Sequence, residues 1–229
     1  MSSHPSPLDA LPPQDRRRLL ERAVPRSLAR EQSLYLTGEP AERTHLLVEG
    51  IVKMLARDAN GRATILCLGR PGDLLGEIPL LDGGLQPLDV VAATPAHVLS
   101  LEPVLLLDVL RRNPEAALAV AGALAARVRW LCGTALERSA NDVPARLAGR
   151  LLELAEILGR MRGGTIEMDI PLAQEDLGRL AGMCRESACK ALRSFQRQGV
   201  LDYRGRALRI LRPDALERIR CGGRLRSGT

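Results

Sequence analysis

The sequence predicts an α+β fold in which a small antiparallel β-barrel precedes a long helix and then a helix-turn-helix with a β-hairpin behind it. Short β-rich segments separated by turn signals fill residues 26–102. From Pro103 onwards, apolar residues recur at helical spacing instead. These patterns predict three parts: an N-terminal barrel over residues 1–113, a long helix over 114–140 and a helix-turn-helix domain over 141–229.

The composition favours a globular protein of two small domains. The chain has 229 residues, of which 45% are hydrophobic, so it can bury a substantial core. No run of eighteen apolar residues occurs, and the N-terminal stretch MSSHPSPLDALPPQDRRR lacks the apolar segment of a signal peptide. We therefore expect a cytoplasmic protein without a membrane partner.

The contents of cysteine and aromatic residues argue against a disulfide-stabilised protein and against a binder of single-stranded nucleic acid. No two of the five cysteines form a C-x-x-C pair, so reduced thiols are expected rather than a disulfide framework. An aromatic content of 2% is low for a single-strand binder that stacks bases on exposed rings. The cysteines are Cys67, Cys132, Cys184, Cys189 and Cys221.

The positive charge is confined to the C-terminal part of the chain. Residues 1–138 hold 16 Lys and Arg against 16 Asp and Glu, whereas residues 139–229 hold 17 against 11. A positive field limited to one module is typical of a domain that binds a polyanion, because neutralised phosphates release counterions. A solvated basic tail would give the same count, so charge alone leaves both interpretations open.

Six segments predict the strands of the barrel, and one turn predicts a hairpin between two of them. Asp58-Ala59-Asn60-Gly61 separates two apolar runs, and Asn-Gly readily adopts the positive φ angles of a tight turn. The predicted strands are QSLYL, HLLVEG, IVKMLARD, ATILCLG, DVVAA and HVLSL.

Two helices follow the barrel. PVLLLDVLRRN predicts a short one, and Pro114 suits the first position of a longer one that extends through PEAALAVAGALAARVRWLCGTALERSA. Alternating spacings of four and three along the longer helix predict a seam that packs against a second helix. This indicates a dimer interface centred on Leu124, Val128 and Leu131, although a helix that covers its own barrel is the alternative. The whole seam comprises Ala117, Ala121, Leu124, Val128, Leu131 and Ala135.

The C-terminal third predicts a helix-turn-helix. Residues 141–144, Asn-Asp-Val-Pro, form a candidate hinge, and a helix over ARLAGRLLELAEILGR, a Gly163-Gly164 turn and the strand TIEMDI follow it. Within residues 172–211, Gly178 would let the second helix of the motif approach closely, and Gly182 would open the turn. Leu177 and Leu180 are expected in the core.

The second helix of this motif has an apolar and a cationic face. Ala188, Leu192 and Phe195 form the apolar one, with Ala191 at its edge. The other suits the major groove of B-DNA, where Arg donates to guanine, Glu accepts from cytosine and outer cations contact phosphate. A solvated face with a pair between Glu186 and Lys190 is the alternative. Candidate DNA-binding residues are Arg185, Glu186, Ser187, Cys189, Lys190, Arg193 and Arg197, with Arg204 and Arg206 at the hairpin tip.

From about Gln32 to Leu211 the chain resembles the superfamily of the cyclic-AMP receptor protein and FNR. GEPAERTHLLVEGIVKML, RPGDLLGE and RNPEAALAVAGALAARV are similar to its barrel and central dimer helix, and GRLAGMCRESACKAL is similar to its recognition motif, G-x-x-R-E-T-V-x-R. The resemblance implies a double-stranded β-helix (jelly roll), a winged helix-turn-helix, a homodimer on a palindromic operator and RNA polymerase as a partner. It implies that Arg185 and Glu186 contact base edges and that Lys190, in place of Arg, contacts a base or a phosphate.

The sensory half departs from this pattern. The cyclic-nucleotide binders of the family follow Gly-Glu with an Arg-Ser or Arg-Thr pair that holds the cyclic phosphate. Here Gly76-Glu77 is present, but Pro87 and Leu88 hold the corresponding place, so an anionic phosphate would lose its solvation without compensation. We expect no binding of cAMP, and either another nucleotide effector, such as a cyclic dinucleotide, or none.

Other chemistries find little support in the sequence. An iron–sulfur sensor of the FNR type needs N-terminal cysteines, and the first 66 residues contain none. His45 and His97 could ligate haem but lie in strand-like segments, and Cys189 could sense oxidants but also suits a small buried thiol. No catalytic motif is present, so an enzyme is not expected. A regulatory module that acts through protein partners is the remaining alternative.

Overall fold

The computed structural model describes residues 5–61, 63–140 and 142–222, and for residues 138–140 it describes the backbone alone. The chain forms two compact units, Met1–Leu131 and Cys132–Thr229. The three-part division at residues 113 and 140 remains a prediction.

The first unit contains two four-stranded antiparallel sheets, with strand orders β1-β8-β3-β6 and β2-β7-β4-β5. Leu47 and Val98 of one sheet and Val52, Met54 and Val90 of the other belong to one buried cluster, so the sheets enclose a common core. The six strands expected from the sequence are all present. The strands are β1 (Val24–Leu28), β2 (Ser33–Tyr35), β3 (Thr44–Glu49), β4 (Val52–Arg57), β5 (Ala63–Gly69), β6 (Leu74–Leu75), β7 (Asp89–Ala92) and β8 (Ala96–Leu101).

Three elements of this unit lack a clear sequence signal. Four of the five residues of β1 are exposed and one is Pro25, so β1 shows no alternation of apolar and polar residues. Strand β6 has two residues. Helix α2 (Glu77–Asp82) has six, and it lies between Gly76 and Gly83, whose φ angles are 78° and 72°.

The hairpin between β4 and β5 forms where the sequence predicts it, but with a different turn. Gly61 has a φ of 76°, and its N–H donates to the carbonyl of Asp58 at 2.9 Å. Asn60 is not left-handed, since Glu31 is the single non-glycine residue with positive φ in the described chain. Asp58 Oδ1 accepts instead from the Asn60 N–H at 2.9 Å. The side chain of Asp58 therefore supports the turn, and glycine is needed only at its last position.

Helices cover the outer face of one sheet. Leu46, Leu74 and Leu101 point away from the barrel interior into a second buried cluster, which includes Leu106 and Val120 from the helices. These helices are α1 (Pro13–Glu21), α3 (Pro103–Arg112) and α4 (Pro114–Ala140), and α3 and α4 lie where the sequence predicts them.

One side of α4 packs on its own barrel and another side is exposed. Ala116 and Val120 are buried in the second cluster, and Ala117 is partly buried against it. By contrast, Leu118 is 70% exposed and Val128 is 58% exposed. By length and composition alone, Pro114–Glu137 could cross a membrane, with a mean hydropathy of 1.3 over an eighteen-residue window of which 11% is buried. Arginines interrupt the apolar run of this helix, so it contains no eighteen consecutive apolar residues.

In its described residues, the second unit contains the end of α4, four further helices and a four-stranded antiparallel sheet of order β11-β12-β10-β9. Gly163 and Gly164 join β9 to β10 with φ angles of 53° and 81°, as a two-residue hairpin turn requires. After the end of α4, its elements are α5 (Val143–Leu158), β9 (Arg160–Arg162), β10 (Thr165–Asp169), α6 (Gln174–Leu180), α7 (Arg185–Arg197), β11 (Leu201–Arg204), β12 (Ala207–Ile210) and α8 (Pro213–Arg220).

Two expectations about this unit change. The predicted two-stranded hairpin is part of the four-stranded sheet, because β12 also pairs with β10. The candidate hinge at residues 141–144 is largely the start of a helix: Val143 and Pro144 begin α5, and Asp142 caps it by accepting from the Ala145 N–H at 3.0 Å. Asn141 lies outside the described residues.

A buried histidine lies inside the barrel. His45 is 6% exposed, its Nδ1 lies 2.9 Å from Ser100 Oγ, and its ring stacks on that of Tyr35. Burial, together with the charges of Arg26 and Arg43, lowers the pKa of His45 to about 4. The folded protein therefore holds this side chain neutral at physiological pH.

The pKa of His45 predicts a loss of stability in mild acid. The unfolded chain binds a proton below its ordinary pKa of 6.5 and the folded chain only near 4, so stability present above pH 6.5 is lost as the pH falls to 4. The shift corresponds to up to about 3 kcal/mol. Thermal unfolding midpoints between pH 7.5 and 4.5 should fall more steeply in the wild type than in His45→Gln. Replacing the exposed His97 by Gln is the control, and equal slopes for wild type and His45→Gln would contradict the assignment.

Candidate nucleic-acid interface and sensory pocket

The helix-turn-helix is formed by α6 and α7, and its glycines act on the turn. Gly182 has a φ of 64°, and the Met183 N–H donates to the Gly178 carbonyl at 2.9 Å. A Cβ on Gly178 would lie 3.1 Å from the Met183 carbonyl oxygen and 3.4 Å from the backbone of Cys184. Gly178 thus permits close approach of the turn itself, not of the second helix as expected from the sequence. Leu177 and Leu180 are buried, as predicted.

The apolar face of α7 is buried as predicted. Ala188, Leu192 and Phe195 are each at most 2% exposed, and Ala191 is also buried, rather than lying at an edge. This face packs against α5, α6 and β11. Because an α-helix has 3.6 residues per turn, its other face must then point to solvent.

The outer face of α7 forms a shallow concave surface rich in arginine. Glu186, Lys190 and Arg193 are all exposed, so they point outward as the sequence predicts. Gln196, which the sequence analysis did not select, also lines this surface. Its helical spacing of three from Arg193 and seven from Cys189 could have identified it. The lining residues are Arg185, Glu186, Cys189, Lys190, Arg193, Gln196 and Arg197.

Among the described residues, no carboxylate forms an ion pair with the cations of this surface, although the charge of Arg185 acts on its neighbour Glu186. The alternative pair between Glu186 and Lys190 does not form. Elsewhere in the unit, by contrast, Arg179 contacts Glu175 at 2.6 Å and Arg218 contacts Asp214 at 2.9 Å. The positive charge of α7 is therefore available to an external anion. The cations that form no ion pair among the described residues are Arg185, Lys190, Arg193 and Arg197.

Glu186 is ionised at the start of α7. A hydrogen bond from its own backbone N–H, one from the Cys184 thiol and the charge of Arg185 hold the pKa of Glu186 below its ordinary value. The carboxylate is exposed, so it can accept hydrogen bonds from a ligand.

Two predicted interface residues are half-buried. Ser187 Oγ lies 3.2 Å from Cys184 Sγ, and the Cys189 thiol donates to Gln174 Oε1 on α6 at 3.0 Å. Cys189 therefore links the two helices of the motif at the border of the concave surface. Cys189 is half-buried, so it is not the fully buried small thiol that the sequence suggested.

The tip of the β11–β12 hairpin carries two exposed arginines. Arg204 and Arg206 flank Gly205, whose φ is 65°. The Arg206 carbonyl accepts from the Ile170 N–H at 2.8 Å, and Arg204 lies 3.4 Å from Asp202. The backbone of the tip is thus held by the sheet while both side chains extend into solvent.

Gly76 and Glu77 lie at the start of α2 in the first unit. Glu77 is 4% exposed and forms an ion pair with Arg127 of α4, a residue that the sequence analysis did not select. Burial raises the pKa of Glu77, and the charge of Arg127 opposes this effect. An arginine within an otherwise apolar helix was the available signal for this contact.

Pro87 and Leu88 bring no cation to this region. Pro87 is exposed, and Leu88 is half-buried against the barrel core. The next residue, Asp89, is 2% exposed, and its carboxylate accepts from Arg57 Nε at 2.6 Å and from the Thr37 N–H at 2.8 Å. These bonds lower the pKa of Asp89 despite its burial. A hydrogen-bonded carboxylate therefore follows directly on positions 87 and 88, where the cyclic-nucleotide binders of the family carry a cation and a hydroxyl.

Two family models match the chain. A cyclic nucleotide-binding domain matches residues 25–113, and a Crp-like helix-turn-helix domain matches residues 145–219. These matches coincide with the barrel and with most of the second unit.

Curated relatives and solved structures match over most of their lengths. The transcriptional regulator LdrP of Thermus thermophilus is 31% identical over 192 residues, which cover 83% of this chain and 93% of LdrP. A CRP-like cAMP-activated global transcriptional regulator of Mycobacterium tuberculosis is 28% identical over 200 residues, which cover 87% and 89% of the two chains. The crystal structure of a CRP-family transcriptional regulator, also from Thermus thermophilus, is 29% identical, with a TM-score of 0.72 and coverage of 88% and 100%.

These relatives are transcription regulators and not enzymes. Together with the barrel, the Gly76-Glu77 turn and the outward-facing α7, they show that the chain belongs to the CRP/FNR superfamily of helix-turn-helix, DNA-binding transcription regulators.

Proposed function

We propose that this regulator acts in the cytoplasm as a homodimer that contacts a palindromic operator through α7 and influences transcription by RNA polymerase. The observation that carries this proposal is the outer face of α7, which is mainly cationic, exposed and without ion pairs among the described residues, above a buried apolar face. We also propose that DNA binding by this regulator is controlled by a nucleotide other than cAMP or needs no effector.

The residues of α7 suit different roles in the groove. Arg185 and Glu186 lie at the N-terminal end of the helix, which in this motif enters the major groove, and they suit guanine and cytosine edges respectively. Lys190 is a point charge without the bidentate geometry of arginine, so it would discriminate less between bases. Arg193 and Arg197, with Arg204 and Arg206 of the hairpin, suit phosphates.

Truncation of the two N-terminal residues should reduce discrimination between sequences. Arg185→Ala and Glu186→Ala should each lose about 1 to 3 kcal/mol of preference for a selected operator over random duplex, with folding nearly unchanged. Fluorescence anisotropy with both duplexes measures this, and Arg218→Ala, an exposed arginine outside the concave surface, is the control. An equal loss on both duplexes would exclude base contacts. A flat dependence on salt would instead favour a protein partner.

The exposed side of α4 supports a second copy of the chain as its partner. Leu118, Ala121, Ala125, Val128, Cys132 and Ala135 are all exposed and alternate in spacing between three and four. The seam expected from the sequence shares three of these residues, but its Ala117, Leu124 and Leu131 are half-buried. We therefore propose a seam rotated toward Leu118, Ala125 and Cys132. In a parallel two-fold pair, equivalent seam positions meet.

The rotated seam predicts proximity of the two Cys132 thiols. Mild oxidation with diamide, which is reduced as two thiols form a disulfide, should give a covalent dimer on a non-reducing gel. Cys132→Ser should abolish the dimer band, whereas Cys184→Ser and Cys221→Ser, which remove other exposed thiols, should not. A monomer in sedimentation at micromolar concentration, or a dimer band that persists in Cys132→Ser, would contradict this seam.

The residues around the Gly76-Glu77 turn favour an effector other than cAMP. The mycobacterial relative is described as cAMP-activated, but here Pro87 and Leu88 supply neither cation nor hydroxyl. The carboxylates of Glu77 and Asp89 are both buried and both paired with arginine. A cyclic phosphate would therefore meet buried acids without a dedicated cation.

Calorimetric titration with cAMP should show no micromolar binding, and cAMP should not alter operator affinity. The reason is the missing cation and hydroxyl at positions 87 and 88. The double substitution Pro87→Arg, Leu88→Ser tests this reason, because restoring both groups should increase affinity for cAMP. One clear saturable isotherm with the wild type would refute the expectation.

A further inference from the structure

Gln196 joins the concave surface of α7 to the β11–β12 hairpin. Its Nε2 donates to the backbone carbonyl of Tyr203 in β11 at 3.0 Å. Among the described residues, no other side-chain hydrogen bond connects α7 with β11. Gln196 is half-buried and lines the same surface as Arg193 and Arg197, so the bond lies where the helix and the hairpin meet.

Strand β11 offers this carbonyl because it lies at the edge of its sheet. It pairs on one side only, with β12. In an antiparallel edge strand, alternate backbone groups point away from the sheet and need another partner. The amide of Gln196 supplies this partner for Tyr203, whose side chain is also buried. Burial holds the strand against the helix without preferring a direction, whereas the hydrogen bond fixes the position of the strand along the helix.

The bond lies next to the tip of the hairpin. Tyr203 directly precedes Arg204 and lies three positions before Arg206. The base of the hairpin is attached separately, through the Val200 carbonyl, which accepts from two backbone N–H groups. On the side of the sheet, the Arg206 carbonyl accepts from the N–H that follows β10. Gln196 therefore holds the tip on the side of α7.

Direct contact with a base is the other role open to this side chain. A glutamine in the major groove can bind adenine through its amide oxygen and nitrogen together. Here Gln196 Nε2 donates to Tyr203, and Gln196 lies eleven positions after Arg185, in the C-terminal half of α7. In this motif the N-terminal residues of the helix contact base edges. The position of Gln196 therefore favours a role in holding the hairpin.

We propose that Gln196 is a positioning residue for DNA binding, which fixes the hairpin relative to α7 so that Arg204 and Arg206 reach operator phosphates. This rests on the phosphate contacts that the proposed function assigns to both arginines. A hairpin that is fixed beforehand loses less conformational freedom on binding, so the bond raises affinity without contacting DNA. Phosphates carry no sequence information, so the bond changes affinity and its salt dependence but not discrimination between sequences.

A double-mutant cycle on the full chain tests this coupling. Gln196→Met keeps the length of the side chain and removes the donor, and Arg204→Ala combined with Arg206→Ala gives the hairpin variant. In fluorescence anisotropy with the selected operator, Gln196→Met should weaken binding by the wild type about two- to tenfold, the range that one neutral hydrogen bond supplies. In the hairpin variant it should change affinity less than about twofold, because no phosphate contact is left to position.

The salt dependence is a readout that a purely structural residue would not change. Two phosphate contacts account for about 1.8 units of the slope of the logarithm of the association constant against the logarithm of salt concentration. Gln196→Met should reduce the slope by part of this amount. The ratio of the affinities for operator and random duplex should stay unchanged.

Controls separate the loss of this bond from a loss of folding. Gln198→Met is the matched control, because the Gln198 amide donates to Ser194 Oγ at 2.9 Å and not to the hairpin. It should leave affinity and salt slope unchanged. In hydrogen exchange on the free protein, Gln196→Met should accelerate exchange in residues 200–211 and leave the rest of the second unit unchanged.

Three results would overturn the proposal. An equal loss of affinity in the wild type and the hairpin variant would show that Gln196 acts independently of both arginines. A loss of discrimination between the two duplexes would show that it contacts a base, and faster exchange throughout the second unit would show a general structural role. If the hairpin variant binds the operator like the wild type, the phosphate contacts of the proposed function fail together with this inference, whereas additive losses count against the inference alone.

Discussion

The cationic face of α7 points to solvent because the opposite, apolar face of the helix is buried in the C-terminal core. Burying side chains such as Leu192 and Phe195 contributes about 1.5 to 3 kcal/mol each. An exposed ion pair on the outer face would contribute at most about 1 kcal/mol. Packing therefore decides the rotation of the helix, and the cations of the outer face are free to meet an external anion. Selection for DNA binding and selection for folding thus act on opposite faces of one helix.

The same periodicity explains which parts of the fold could be predicted. Apolar residues recur at helical spacing in α3, α4 and α7, and the six predicted strands are short β-rich runs between turn signals; each lies where its pattern indicates. Strand β1 could not be predicted because its exposed residues and Pro25 show no alternation of apolar and polar side chains. Helix α2 could not be predicted because its six residues make less than two turns. Asn60 shows a further limit. The Asn-Gly pair located the turn correctly, but the Asp58 side chain selected its geometry.

Contacts between distant residues were less accessible to sequence reasoning. Glu77 and Arg127 are fifty positions apart, and Arg43 and Gln86 meet at Gly76 only because the strands fold over one another. The sequence shows that Arg127 is unusual in an apolar helix, but it does not show that Glu77 is its partner. A buried carboxylate that loses its cation costs several kcal/mol, so the ion pair couples the position of α2 to that of α4.

Helix α4 contacts its own barrel on one side, is exposed on another side, and near its C-terminal end contacts Arg150. Ala116, Val120 and Arg127 lie toward the barrel, whereas Leu118, Ala125 and Cys132 lie on the exposed side. Further along, Thr134 and Glu137 contact the guanidinium of Arg150, which is 2% exposed. The exposed apolar stripe would gain free energy from being covered, because apolar surface in contact with water is unfavourable. The half-buried Leu124 and Leu131 then lie at the border between the buried and the exposed side of the helix.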